Sequence, residues 1–202
     1  MVYNDILKRE IPEGWEVLKL ENRFAFERGK EYGSKLYKDC KQTDNDVKFY
    51  RVGDMDDSGS TYIDKTTVDS CPMITKKDVL VSFDGSVGRI GFALNGTYST
   101  GMRKIYDYES IIKSSTIYFI FNDNRIRATI SKYASGSNIL HASASIEHLI
   151  IPYNEKVYLS FQQKIEPIFN KMIDIVEENK KLIELRDFLL PLLMNGQVSV
   201  QN

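Results

Sequence analysis

The sequence predicts an α+β fold, a globular domain of short strands and helices followed by a long C-terminal helix. Three observations carry this reading. Up to about residue 154, β-branched and aromatic runs alternate with glycine and serine turns. From about residue 155 the apolar spacing changes to helical period. That helical pattern then outlasts the width of a small domain, since residues 168–193 would rise about 39 Å at ~1.5 Å per residue. The predicted division is a domain over 1–154 and a long helix over 155–202 suited to pairing with another helix.

Within the first part, "VKFYRV" (47–52), "DVLVSF" (78–83), "RIGFAL" (89–94) and "STIYFIF" (115–121) are strand candidates, because β-branched and aromatic residues cluster there between turn signals. Asp84-Gly85 in "SFDGSVG" favours a tight hairpin turn. "NRIRATISKYA" (124–134) predicts a helix, capped by Asn124 and ended before Gly136. In the last part, Ile165, Phe169, Met172, Val176, Asn179, Ile183, Arg186, Leu190 and Leu193 alternate spacings of four and three, which aligns them on one helical seam. A second set, Ile168, Ile175, Leu182, Leu185 and Leu189, widens that seam until two surfaces could be covered. Pro167 should kink or start the main segment, and Asn195-Gly196 should stop it.

The chain has 202 residues and a net charge of −1, so the strongly basic balance of a simple nucleic-acid binder is missing and any such surface must be local. Cys40 and Cys71 stand far apart, with only His141 and His148 as imidazoles, which argues against a zinc site. The opening "MVYNDILKREIPEGW" is broken by charges and no apolar run reaches the length of a membrane span, which predicts a reduced, cytoplasmic protein without membrane contact.

Enzyme signatures are missing. The sequence has no phosphate-binding Gly-x-x-x-x-Gly-Lys, no dinucleotide Gly-x-Gly-x-x-Gly, no Gly-x-Ser-x-Gly elbow and no His-Glu-x-x-His pair. "DGSVGRIG" lacks the lysine and helix start of a phosphate loop and is read as a hairpin; Glu178-Asn179-Lys180 is read as a helix face. His141 lacks a neighbouring nucleophile, so a satisfied polar role outweighs that of a general base. The charge distribution is more informative. Arg89, Arg103 and Lys104 stand between Gly85 and Tyr106, and Arg125, Arg127 and Lys132 between Asn124 and Ile146, with no acidic residue in either interval. Acid gathers in "GDMDDSG" (Asp54, Asp56, Asp57) and along the last helix. Such basic, serine- and asparagine-rich stretches suit phosphate contacts with polar groups free for base edges.

Several stretches, in order, resemble the DNA-specificity subunits of type I restriction-modification systems: "IPEGWEVLKLEN", "FYRVGDMDDSG", "KKDVLVSFDGSVGRIGFA", "GSNILHASASIEHLIIPYN", "QQKIEPIF" and "LRDFLLPLLMNGQVSV". The resemblance covers nearly the whole chain. It implies a non-catalytic reader of double-stranded DNA, without a cofactor of its own, that directs adenine-N6 methyltransferase (modification) subunits and a restriction/translocase subunit to a bipartite site. The chain also lacks the Asn-Pro-Pro-Tyr/Phe tetrapeptide of an adenine methyltransferase. It resembles half of a specificity subunit, with one recognition domain and one helix where two of each are usual.

The charge pattern and the resemblance together nominate Arg89, Arg103, Lys104 and Lys132 as phosphate contacts and Ser137, Asn138 and His141 as base readers. A homodimer is expected through Phe169, Met172, Val176, Asn179, Ile183, Leu190 and Leu193. Glu177-Glu178-Asn179-Lys180-Lys181 favours antiparallel pairing centred near Asn179, because reversal sets Glu177 toward Lys181 and Glu178 toward Lys180. A scaffold that reads no DNA and a small enzyme with an unfamiliar site are the competing readings.

Overall fold

The computed structural model describes residues 1–56, 58–136 and 139–197. The chain opens on a hairpin of β1 (Val2–Asn4) and β2 (Arg9–Ile11), followed by β3 (Glu16–Lys19), which pairs antiparallel with the late strand β12 (Ile150–Tyr153). Two four-stranded sheets make the body. One is mixed, in the order β6 (Tyr62–Asp64), β5 (Asp46–Tyr50), β10 (Gly96–Tyr98), β7 (Met73–Ile74), with β5 and β10 parallel. The other is antiparallel, in the order β4 (Phe24–Arg28), β11 (Met102–Asp107), β8 (Val79–Ser82), β9 (Ile90–Gly91). Three helices follow: α1 (Ser114–Asn122), α2 (Asn124–Lys132) and, after β12, α3 (Glu155–Met194). No described helix is long and apolar enough to cross a membrane.

The run "DVLVSF" is apolar without alternation because β8 is covered on both faces. Val79 and Val81 join the large core with Phe24, Ile105, Ile117 and Phe121, while Leu80, pointing the other way, joins Tyr50, Ile74, Tyr98 and Met102. "VKFYRV" contributes β5 and "RIGFAL" only the two residues of β9; Ala93 there takes a positive φ of 57° that ends the extended run.

"STIYFIF" is a helix, not a strand. A short apolar run leaves the period ambiguous, and packing decides it: Ile117, Ile120 and Phe121 sit at helical spacing and are buried, with α1 packed against β8, β11 and α3. The cap of α2 is Asp123 rather than Asn124, its carboxylate accepting from the Arg125 N–H at 2.8 Å.

Helix α3 is continuous over 40 residues and passes through Pro167, which neither starts nor interrupts it. Asn154 caps its start by accepting from the Val157 N–H. At the other end Gly196, with φ 66°, closes the helix as the Asn195-Gly196 signal predicts, its N–H donating to Leu193 and that of Gln197 to Leu192. The first half of α3 lies on its own domain. Phe169 packs between Phe92 and Tyr118 at ring separations of 5.7 and 5.5 Å, flanked by buried Ile165 and Ile173. Gln162 is buried beside them, accepting from the Lys113 N–H and donating to the Ile111 carbonyl. Farther along, Lys76 pairs with Glu177, and Lys180 donates to the Ala93 carbonyl at 2.9 Å.

This corrects part of the expected dimer seam. Phe169 is buried in its own domain, and Val176 packs partly against the same core. The side chains that face solvent are the second set, Ile168, Ile175, Leu182 and Leu185, together with Ile183, Leu190 and Leu193 beyond the last domain contact.

Removing the Phe169 ring should therefore cost about 3–5 kcal/mol in a denaturant titration, the range for emptying a buried aromatic site, whereas Phe188→Ala on the exposed half should stay within ~0.5 kcal/mol. Acid should also loosen the domain. Lys38 and the N–H groups of Gln42 and Thr43 hold the Asp46 carboxyl down at about 2, from its usual 3.8. A depressed carboxyl stabilises the fold fully above its unfolded value, and that contribution is lost as pH falls through the folded one. The wild type should lose stability between about pH 4 and pH 2, and Asp46→Asn, already weaker at neutral pH, should show a flatter acid limb in the same titration.

Candidate nucleic-acid interface

One end of the domain collects the glycine hairpin after β8, helix α2 and the segment 135–142. The hairpin is built by Ser82, whose hydroxyl donates to the Ser86 carbonyl and accepts from the Arg89 N–H at 2.9 Å, while the Gly88 N–H donates to the Ser82 carbonyl at 2.8 Å. Gly85 and Gly88 take φ of 67° and 76°, a region that glycine enters without a Cβ penalty. Gly88 lies against α2, since a Cβ there would come within 3.9 Å of the Arg127 carbonyl and of Ile130.

Ser135 and residues 140–142 are tied to one another and to this hairpin. Ser135 and His141 exchange backbone hydrogen bonds of 3.1 and 2.8 Å, the Gly85 N–H donates to the Leu140 carbonyl at 2.9 Å, and the Ala142 N–H to that of Phe83 at 2.7 Å. His141 Nδ1 lies 2.8 Å from Asp84 Oδ1. A carboxylate at that distance favours the imidazole carrying its proton on Nδ1, which leaves Nε2 for an outside partner. The His141 side chain is 63% exposed, so this edge is accessible to a partner.

Helix α2 turns Ile126 and Ile130 inward and leaves Arg125, Arg127 and Lys132 on the exposed face. Among the described residues no ion pair involves these three cations, although the capping Asp123 carboxylate lies at the start of the same helix. Lys132 sits 5.4 Å from the centre of the Tyr133 ring, which stacks on His148 at 3.8 Å. Arg89 is half-buried, donating to the Val52 carbonyl at 3.0 Å and so joining the hairpin to the segment after β5.

The nominated residues divide sharply. Lys132, His141 and Arg89 come together at this end. Arg103 does not face solvent: it is buried on the central strand β11, donates to the carbonyls of Thr100 and Met102 and to Ser143 Oγ, and lies over the Phe83 ring. Burial, reinforced by nearby Arg28, lowers its pKa, the cost of holding a cation there. Lys104 points to the opposite face of β11, donating to the Met73 carbonyl and pairing with Glu27 at 3.3 Å. Both are structural cations, because their charged groups are taken up by partners within the domain: Arg103 by backbone carbonyls and Ser143, Lys104 by the Met73 carbonyl and Glu27. Ser137 and Asn138 lie outside the described residues. Sequence reasoning passed over Asp84, which orients His141, and left Arg125 and Arg127 out of the nominated contacts, although the acid-free interval contained both.

Among the described residues no group of three His, Cys, Asp or Glu is arranged to hold a metal ion. The arrangement supplies cations, backbone N–H groups near a hairpin and one oriented imidazole, a set suited to binding phosphates and base edges.

Comparison with known proteins agrees with this chemistry. The type I restriction modification DNA specificity domain matches residues 12–186. The chain is 26% identical over 204 residues to the specificity subunit of the HindI type I restriction enzyme from Haemophilus influenzae, covering 93% of this chain and 42% of that protein. It is 25% identical to the MjaIX specificity subunit from Methanocaldococcus jannaschii, covering 99% and 48%. The chain thus spans less than half the length of these relatives. Its fold is shared with the type I restriction-modification S subunit from M. genitalium, at a TM-score of 0.59 and 13% identity over 91% of this chain and 45% of that one. The HsdS subunit from Thermoanaerobacter tengcongensis gives 0.54 and 14% over 94% and 47%. With the family's domain matched over most of its length and the fold shared with two solved S subunits, this chain belongs to the family of type I restriction modification DNA specificity domains.

Proposed function

We propose that this chain is a non-catalytic DNA reader that works as a homodimer and directs adenine-N6 methyltransferase and restriction/translocase subunits to a bipartite site. The carrying observation is the pairing of two features on one chain: a helix face that puts Arg125, Arg127 and Lys132 in solvent beside the hairpin that holds His141, and a helix that runs on past its own domain with apolar side chains in solvent. Arg125, Arg127, Lys132 and Arg89 contact phosphates, and His141, held by Asp84, faces the groove. Methyl transfer and translocation belong to the partner subunits.

The exposed half of α3 supplies the second recognition module by pairing with its copy. Antiparallel pairing about Asn179 sets Ile168 opposite Leu190 and Ile175 opposite Ile183, four side chains that are each 45% or more exposed in the single chain. Burying such a side chain from full exposure is worth roughly 1.5–3 kcal/mol, so covering the half that is still exposed gains about half of that, and several per helix offset the cost of association. Glu177 and Lys180 are committed to Lys76 and Ala93 of the same chain, so Glu178 and Lys181 remain to bias orientation. A two-fold axis then implies inverted-repeat half-sites.

Replacing Arg125 and Arg127 together with Ala should weaken binding to specific and non-specific duplexes alike. It should also flatten the plot of log affinity against log salt by about 0.9 for each phosphate that is no longer neutralised. Unchanged affinity and slope would place the DNA elsewhere on the domain. For the dimer, light scattering of the full chain at micromolar concentration should give twice the monomer mass, and Ile175→Ser with Leu182→Ser should return it to monomer without lowering the melting temperature of the domain. A wild-type monomer would remove the homodimer and the inverted repeat together.

A further inference from the structure

Between Gly136 and His141 the recognition end carries two aliphatic side chains in solvent, Ile139 at 57% and Leu140 at 42% exposure. Water disfavours branched aliphatic groups on a polar, cationic rim, and a flexible segment would fold them inward. This segment cannot do so readily. Its base is closed by the Ser135–His141 backbone pair, the Leu140 carbonyl is fixed by the Gly85 N–H, and His141 is tied to Asp84. Gly136 holds a φ of 139°, and a Cβ there would lie 2.0 Å from the Ile139 carbonyl oxygen, so the backbone is folded tightly against its own tip. An apolar pair is therefore presented beside His141, next to the hairpin whose Gly88 lies against α2.

We propose that Ile139 and Leu140 are specificity determinants that read thymine through its 5-methyl group in the major groove of a DNA duplex. The inference rests on the DNA-reading function proposed above and adds the base and the groove. Charge complementarity selects the occupant: a polyanion is drawn to this end by Arg125, Arg127 and Lys132, and the apolar group that duplex DNA exposes in the major groove is the thymine methyl. His141 beside the tip supplies a hydrogen-bonding edge in the same register, so one short segment offers a polar and an apolar contact to adjacent base pairs.

The test uses the full chain with its modification subunits and the duplex whose methylated adenines they mark. Each thymine of that duplex is replaced in turn by deoxyuridine, which removes only the methyl group. For the wild type, one or two positions per half-site should lower affinity about four-fold each, the equivalent of ~0.8 kcal/mol for one buried carbon. Ile139→Ser with Leu140→Ser should bind the thymine duplex that much more weakly, be indifferent to the same replacements, and keep the wild-type salt slope and non-specific affinity. Ile139→Val with Leu140→Val should retain the methyl sensitivity, which separates an apolar contact from a folding defect. Wild-type indifference at every thymine overturns the proposal, as does a serine variant that keeps the sensitivity. A rise in 2-aminopurine fluorescence on binding without methyl sensitivity would mean that the tip wedges between bases, and overturns it too. Failure of the wild type to bind any duplex would instead remove the DNA-reading function itself.

Discussion

The structure depends on how the first half of α3 seats on the domain. Phe169 fills the space between Phe92 and Tyr118, and buried Ile165 and Ile173 extend that contact by a turn on either side. Apolar burial supplies the stabilisation here, and polar clamps set the angle. Gln162 bridges the segment before α1, Glu177 takes Lys76, and Lys180 takes the Ala93 carbonyl. The helix is thus held to its domain from Gln162 to Lys180. Whatever binds its free half is thereby held at a set distance and direction from the basic surface.

The recognition end is rigid for a related reason. Strands β8 and β11 each pair on both sides, so the backbone that leads into the hairpin is held by hydrogen bonds along both edges. The hairpin leaving β8 and the segment 135–142 then exchange hydrogen bonds with each other. Arg103 belongs to this scaffold, its guanidinium satisfied by Thr100, Met102 and Ser143 and its face over Phe83. A cation buried in that position organises the segment that carries His141 and is not presented to a phosphate. Asp107 does similar work at the other end of β11. Burial raises its pKa, but the N–H groups of Ile112 and Glu109 and the Arg23 guanidinium overcome that and hold it below the usual range.

Charge placement reconciles a near-neutral chain with a basic surface. Asp46 is used by Lys38, Asp107 by Arg23, Glu177 by Lys76 and Lys180, and Glu27 by Lys104. These pairs hold acid and base together within the scaffold or along the helix, away from α2. What remains on the outer face of α2 is Arg125, Arg127 and Lys132. Exposed cations that form no ion pair among the described residues are screened by salt but still steer a polyanion at short range.

Local sequence determined the α+β class, the change of period near residue 155, the glycine hairpin, the helix stop at Asn195-Gly196 and the acid-free interval of α2. Each is a property of adjacent residues: turn chemistry, periodicity or the composition of a short stretch. The ordered motifs also carried the resemblance to the specificity family, which the matched domain bears out. Tertiary structure decided the rest. "STIYFIF" became a helix because α1 had to pack on a sheet and on α3 at once, and its β propensity was too weak to prevail. Arg103 and Lys104 have the same local charge as Arg125 and Arg127, yet strand pairing buried one and engaged the other while helix amphipathicity left the second two in solvent. The two apolar sets on α3 were visible from spacing alone, but not which faces inward. That assignment required the long-range contacts of Phe169 with Phe92 and Tyr118, because a helical stripe is apolar in the same way whether its own domain or another chain covers it.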